Sequence, residues 1–513
     1  MAIHVFAAIE VGSFELELGI YEISSKFGMK KIDHLRREIA LGKDTFTNGK
    51  ISYEMVEELC LILSDFVKVM KMYRVENYRA YAASALREAK NRQIVLDQIK
   101  VRTGLDVQAI SNSEQKFLLY KALATKGDTF NEIIQQGTAI ASLGFGSTQV
   151  SLFDKDTLVS TQNLRLGALR IREMLATIQG SEEIHQNILE EMVDNELHTF
   201  KKMYLKDREV KNLILVGDSL LFWAKRMYQE KQSNFIGAED FQQICRLMIE
   251  MKNDEIERRF DLTTEYASVV KPCVMTAKRI LESTGAQMVW IPGVLLIDGM
   301  AAEYGESIGK IKYKHNFEED ILAASRNMAK RYRCHGVHTQ MMEKHVLGIF
   351  DAMKKYHGLG NRERLLLQIA AILHSCGKFV SMKAPSECGY DIIMFTEIIG
   401  LSHREREIIA NVVQYNLETF HYSEVQSPGS SLLEQDVITI AKMTAILRLA
   451  NSMDRSHKQK FKDCHMSVRD NKLVITTPYQ DDMSLEKYTF DLKADFFEEI
   501  FGIRPVLKQK RRG

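Results

Sequence analysis

Two small-residue turns carry the most specific chemistry in this chain. The first is Gly12-Ser13, inside Ala7-Ala8-Ile9-Glu10-Val11-Gly12-Ser13-Phe14-Glu15-Leu16-Glu17-Leu18. The second is Gly144-Phe145-Gly146-Ser147, which follows Ile140-Ala141-Ser142-Leu143 and precedes Thr148-Gln149-Val150. In each, an apolar strand runs into the turn and an alternating strand leaves it. Glycine lets a backbone approach a ligand with no Cβ in the way, and turn amides with a serine hydroxyl make an anion cradle. Gly12, Ser13, Gly144, Gly146 and Ser147 are therefore candidate phosphate-binding residues. Metal-assisted phosphate chemistry usually places an aspartate where the strand meets the turn. Here Glu10 and Ser142 stand near those points, which leaves Glu10 as the candidate metal ligand.

Other residues add to this picture. Ser111-Asn112-Ser113-Glu114 reads as a capping box, with Ser111 accepting from an early amide and Glu114 reaching back. A carboxylate at that point, between the two turns in sequence, also suits a general base that activates water. Arg87, in Ala83-Ser84-Ala85-Leu86-Arg87-Glu88, opens a helix after a strand, where a guanidinium can pair with phosphate oxygens; the alternative is a surface arginine with an i,i+4 companion. Val216-Gly217-Asp218-Ser219 is a third turn after a buried strand. Further on, His335, His338, His345 and His374 fall in helical sequence. His374 is followed by Ser375 rather than an acid, and imidazoles alone hold a hard cation poorly. Packing and hydrogen bonding are the expected roles of these histidines.

The elements that must position these residues follow from periodicity. A helix over Tyr53–Tyr73 puts Val56, Leu59, Leu63, Phe66, Val67 and Met70 on one face. Strand Tyr78–Ala82, helix Ser84–Lys100 and strand Asp106–Ile110 follow it. The second turn repeats the theme, with strands Asn212–Val216 and Gln287–Ile291 and a closing helix over Val294–Tyr304. Strands first as a meander, then alternating with helices, read as α/β with a mixed sheet. From Lys310 to about Ser456 the pattern is helical. From His457 it returns to short strands around Asp470-Asn471. The expected domains are 1–125, 126–309, 310–456 and 457–513.

The chain has 513 residues, 45% hydrophobic and 27% charged, with a formal net charge of +1. Such a balance gives no global case for nucleic acid or an anionic membrane. Lys508-Gln509-Lys510-Arg511-Arg512 is a local basic tail, expected to be frayed. Seven cysteines without CxxC spacing indicate reduced thiols. With no signal peptide and no long apolar run, the expected location is cytoplasmic.

Taken in order, the motifs resemble the exopolyphosphatase / guanosine pentaphosphate phosphatase (Ppx/GppA) family over nearly the whole chain. The matching pieces are the two hairpins, Tyr81–Arg92, Thr103-Gly104-Leu105, Ile110–Glu114 and Leu166-Gly167-Ala168. Ala370–His374, Leu401–Ala410 and Leu447–Ser456 continue the series. The resemblance implies two actin-like (RNase-H-like, ASKHA) domains, then an all-helical HD-type domain and a small α+β cap. It implies removal of terminal phosphate from inorganic polyphosphate or from guanosine pentaphosphate, with Mg²⁺. It makes Glu114 the catalytic glutamate, Gly12, Ser13, Gly144, Gly146 and Ser147 the phosphate loops, and Arg87 a cleft arginine. A homodimer is implied too, with Arg404, Arg406 and the tail along a polyanion channel or, alternatively, in surface salt bridges. The sequence departs from the family pattern at Phe14, Glu15, Ser142, Phe145, Ser375 and Asn451. Those departures motivate an alternative, a binding module for polyphosphate or a guanosine alarmone that no longer turns it over. A sugar or acetate kinase of the same superfold fits less well, because the third turn leaves little room for adenine.

Overall fold

The computed structural model describes residues 3–205, 208–217, 234–426 and 430–510. Asp218 and Ser219 of the third turn, and Arg511 and Arg512 of the tail, lie outside the described residues. The chain divides into two compact units, Met1–Phe317 and Glu318–Gly513.

The first unit contains the same sheet twice. Strands β1 (His4–Val11), β2 (Glu15–Ser24), β3 (Gly28–Glu38), β4 (Asn77–Ala82) and β5 (Val107–Ala109) lie in the order β3-β2-β1-β4-β5. The first three are antiparallel, while β4 runs parallel to β1 and β5 parallel to β4. Strands β6 (Thr138–Leu143), β7 (Thr148–Asp154), β8 (Thr157–Leu164), β9 (Asn212–Val216), β10 (Phe235–Gly237) and β11 (Met288–Trp290) repeat it. Their order is β10-β11-β9-β6-β7-β8, the same succession with β10 added at one edge. Paired sheets of this order bear out the α/β, actin-like expectation for both halves.

Each half has its own apolar core. The helix Tyr53–Met72 buries Val56, Leu59, Leu63, Phe66 and Met70 against the first sheet, after Ser52 caps it by accepting from the Met55 amide. The helix Thr264–Thr284 fills the second core with Val270, Val274, Ala277 and Leu281. The expected closing helix exists as Leu296–Ser307 and returns to the first sheet. There Asp298 accepts from the Tyr21 hydroxyl at 2.8 Å, and Tyr304 stacks on Phe6 with ring centroids 4.3 Å apart.

One expected helix is two. Ser84–Lys100 divides into Ser84–Glu88 and Arg92–Thr103, and the cause is tertiary. The Lys90 amide donates to Gly49 O, and the Asn91 side chain bonds both the amide and the carbonyl of Ile51. An asparagine that finds such partners competes with the helix ladder.

The second unit is helical through Glu434–Met453 and then turns to a small sheet. Strands β12 (His465–Arg469), β13 (Lys472–Thr477) and β14 (Arg504–Gln509) form it, with helix Ser484–Phe501 between β13 and β14. Asp470 and Asn471 both have positive φ, as a two-residue hairpin requires. The described part of the basic tail differs from a frayed end: Lys508 in β14 pairs with Thr476 of β13, and the Lys510 amide donates to Thr477 O. None of the seven cysteines is in a disulfide. Among the described residues no helix is long and apolar enough to cross a membrane.

Candidate active site

The two turns close in the same way. The Gly12 amide donates to Glu15 O and the Gly144 amide to Ser147 O, both at 3.0 Å. Ser13 then ties the first turn to its own half: its hydroxyl lies 2.8 Å from Ser84 Oγ and accepts from the Ala85 amide at 3.1 Å. The second turn approaches that same serine. A Cβ on Gly146 would lie 2.0 Å from Ser84 Oγ, and a Cβ on Gly167 would lie 2.1 Å from the Gly146 carbonyl carbon. No larger residue fits at either point without displacing backbone or a helix start.

A cavity of about 60 Å³ lies where the hairpins face each other. Gly12, Ser13, Gly144, Gly146 and Ser147 all line it, as does Ser84. The structure thus brings together five of the sequence-derived phosphate residues. At roughly 15 Å³ for each, the space admits several waters.

The cavity wall is acidic. Glu10 and Glu17 are directly opposite in the β1–β2 register, and Glu15 is two residues from Glu17 on the same face. All three line the cavity. Arg36 Nη2 donates to both Glu15 oxygens at 2.6 and 2.7 Å, and its Nε lies 3.0 Å from Glu17 Oε1. That second approach is off the line of a hydrogen bond, so neither Glu17 oxygen has a bonded partner although the residue is 1% exposed. Burial, followed by the neighbouring Glu17 charge, pushes the Glu15 carboxyl up to about 7 despite Arg36. The second hairpin carries Ser142 opposite Gln149 at the corresponding register, and Gln149 Oε1 is buried and unbonded.

Glu10, Glu17 and Gln149 are hard oxygen donors. Among the described residues no three His, Cys, Asp or Glu side chains converge into a metal cage. Mg²⁺ does not require one, since it commonly takes one or two carboxylates and completes its shell with waters and substrate phosphates. The unbonded Glu17 oxygens fit such an ion.

Glu114 lies outside the cavity wall. Its carboxylate accepts from the Ser111 amide at 2.8 Å, and its own amide donates to Ser111 Oγ at 3.2 Å, completing the capping box. The next residue, Gln115, does line the cavity. Arg87 is also away from the wall: it donates to Ile110 O at 2.9 Å and to Asn112 Oδ1. Its guanidinium therefore holds the start of the helix that carries Glu114.

In the second unit the histidines do find an acidic partner, one the sequence pattern did not point to. His338 Nδ1 is 2.8 Å from Asp454 Oδ2, and His338 Nε2 is 3.1 Å from His374 Nε2. His374 Nδ1 donates to Ala371 O, and His457 stacks on His338 at 4.0 Å. Burial and the neighbouring His338 hold His374 down to about 3, and burial holds His345 down to about 4. Asp454 is 116 residues from His338 in sequence, too far for any local spacing to reveal the pair. Arg404 is taken up by a bidentate pair with Asp436, and Arg406 is buried against the carbonyls of Met394 and Thr396. They hold structure where a polyanion channel was one expectation.

Comparison with known proteins decides the family. The model of the Ppx/GppA phosphatase family matches residues 19–303, and that of Ppx/GppA phosphatase domain III matches residues 322–494. This chain belongs to the Ppx/GppA phosphatase family. A guanosine-5'-triphosphate,3'-diphosphate pyrophosphatase of Photobacterium profundum is 22% identical over 498 residues, 92% of each chain. The crystal structure of the Aquifex aeolicus family member superposes with a TM-score of 0.50 at 19% identity, over 61% of this chain and 100% of its own. An exopolyphosphatase structure from Cytophaga hutchinsonii gives 0.51 at 16% identity, over 59% of this chain and 98% of its own. At these identities the structures speak for the fold, and they agree with the duplicated sheets.

Proposed function

We propose that this Ppx/GppA protein is a phosphohydrolase that releases the terminal phosphate of inorganic polyphosphate or of guanosine pentaphosphate. The carrying observation is the cavity lined by both small-residue turns. Family membership and the full-length pyrophosphatase relative support the same reaction class.

In this reading the turns of Gly12-Ser13 and Gly144–Ser147 cradle the terminal phosphoryl group and fix it for attack. Glu114 takes the proton of the attacking water once its carboxylate leaves the Ser111 amide and turns toward the cavity that its neighbour Gln115 lines. The water oxygen bonds to phosphorus as the bridging P–O bond breaks, and the bond's electron pair leaves with the shortened chain. Arg87 keeps the Glu114 helix in place and reaches phosphate only by giving up Ile110 O. Mg²⁺ held by Glu10 and Glu17 would neutralise charge on the phosphoryl oxygens. A cytoplasmic homodimer completes the proposal. The test is phosphate release from long-chain polyphosphate and from guanosine pentaphosphate by wild type and Glu114→Ala. Release from at least one substrate, falling at least a hundredfold in the variant, is expected. Equal rates would remove Glu114 from the mechanism.

A further inference from the structure

The last two long helices of the second unit bring cations together with no anion to match them. Helix Glu434–Met453 and helix Ser484–Phe501 pack antiparallel, and three contacts fix their register. Ser456, just past the first helix, donates to the Glu486 carboxylate, and the Thr489 hydroxyl donates to Ser452 O at 3.3 Å. Further along, the Arg448 guanidinium lies 4.6 Å from the Phe496 ring centroid. Lys493 comes four residues after Thr489 and three before Phe496, so it shares their helix face. Its place is therefore between Ser452 and Arg448. Arg455 follows two turns after Arg448, at the end of the opposing helix.

Among the described residues, none of Arg448, Lys493 and Arg455 is in an ion pair. The nearby carboxylates are engaged elsewhere. Glu486 pairs with Lys460 at 2.7 Å, Asp454 with His338 at 2.8 Å, and both Asp495 and Glu498 with Arg504. Asn451, one of the departures from the family pattern, lies one turn from Arg448 and adds no charge. Arg448 is 7% exposed and gives two of its five N–H groups to the carbonyls of Tyr415 and Glu418, at the end of helix His403–Tyr415. Burial pushes its guanidinium down to about 10, and burial with the Arg448 and Arg455 charges pushes Lys493 down as well. Like charges held at a seam repel, and an opposite charge brought among them relieves the cost.

We propose that Arg448, Lys493 and Arg455 form a binding site for inorganic phosphate in the second unit. The phosphate dianion supplies the negative charge that the seam lacks. Guanidinium forks match its oxygens in geometry, and the ammonium adds a point charge. Only a small anion reaches Arg448, which is almost covered, while Arg455 stands exposed at the rim. Bound phosphate ties the two helices together where their own charges push them apart. The site is built wholly from the second unit, so it stands whether or not the cavity of the first cleaves phosphoanhydrides.

Hydrogen exchange on the full chain, titrated with inorganic phosphate, tests this and localises the effect away from the first unit. Phosphate should slow exchange of amides 446–453 and 489–497, and sodium chloride of equal ionic strength should not. Lys493→Met keeps the aliphatic stem and removes the charge. It should raise the phosphate concentration for half-protection about tenfold, the loss of one charge-assisted hydrogen bond, while Lys493→Arg keeps the wild-type value. Without phosphate, Lys493→Met should melt at the same or a higher temperature, since repulsion is relieved; a merely structural lysine predicts a lower one. Absent protection, equal protection by chloride, or a half-protection point unchanged in Lys493→Met would overturn the proposal.

Discussion

The acidic cavity of the first unit and the histidine cluster of the second bury ionisable groups at opposite signs, and they resolve the cost differently. Burial pushes Glu15 up and pushes His345 and His374 down, since in both places the charged form is the one penalised. In the helical cluster Asp454 closes on His338 and on the Gln459 amide, while both ring nitrogens of buried His345 have no hydrogen-bond partner. The cavity does not close. Arg36 satisfies Glu15, but both oxygens of Glu17 and Oε1 of Gln149 stay unbonded. The difference is one of access: Glu17 and Gln149 line a cavity that a ligand can enter, whereas His345 is fully buried on the helix Gly336–Ala352. Unlike the cluster, the cavity also gathers the two small-residue turns.

Substitutions can break or sharpen this contrast. The largest effect is expected at Asp454→Asn, which takes the carboxylate partner from buried His338 and should cost about 3–5 kcal/mol in a denaturant titration of the full chain. A loss under 1 kcal/mol would mean that the His338–Asp454 pair does not hold the cluster together. Acid should act next. His345 sits at about 4 in the fold and near its ordinary 6.5 when unfolded, so the unfolded chain binds the proton first. Stability from this group is complete above pH 6.5 and is lost as pH falls toward 4, by roughly 3 kcal/mol. His374 shifts the same way and extends the loss toward pH 3. Hydrogen exchange in the helix Asn361–Leu373 should accelerate across that window, and exchange independent of pH would contradict the reading. The smallest effect on stability is expected at Glu17→Gln, which gives up the ion pair with Arg36 but also the repulsion from Glu10 and Glu15, and leaves Arg36 paired with Glu15. Stability should change by less than about 1 kcal/mol while Mg²⁺ binding weakens. A larger loss would make the Arg36–Glu17 pair structural.

Much of this was legible in the chain itself. The small-residue turns stand out because glycine and serine at the end of an apolar strand have few structural uses, and the order of motifs carried the duplicated fold. The helix Tyr53–Met72 follows from its apolar spacing alone. What was hidden depends on distant partners. Asn91 breaks a helix by bonding Ile51, 40 residues away. Phe14 reads only as a departure from the family pattern until its packing against Phe145 is known. Glu114 and Arg87 matched the family motif, yet both are engaged at a helix start rather than in the cavity wall. Local spacing predicts elements well, because their hydrogen bonds are local. It does not predict which elements meet.

The central claim is that the terminal phosphoryl group is bound and cleaved between the two turns. Gly146→Ala tests it most directly, because the added Cβ would stand 2.0 Å from Ser84 Oγ at the cavity wall. Initial rates of phosphate release from polyphosphate should fall at least tenfold, with the cooperative melting transition of wild type preserved. A correctly folded Gly146→Ala protein releasing phosphate within twofold of the wild-type rate would place the chemistry elsewhere.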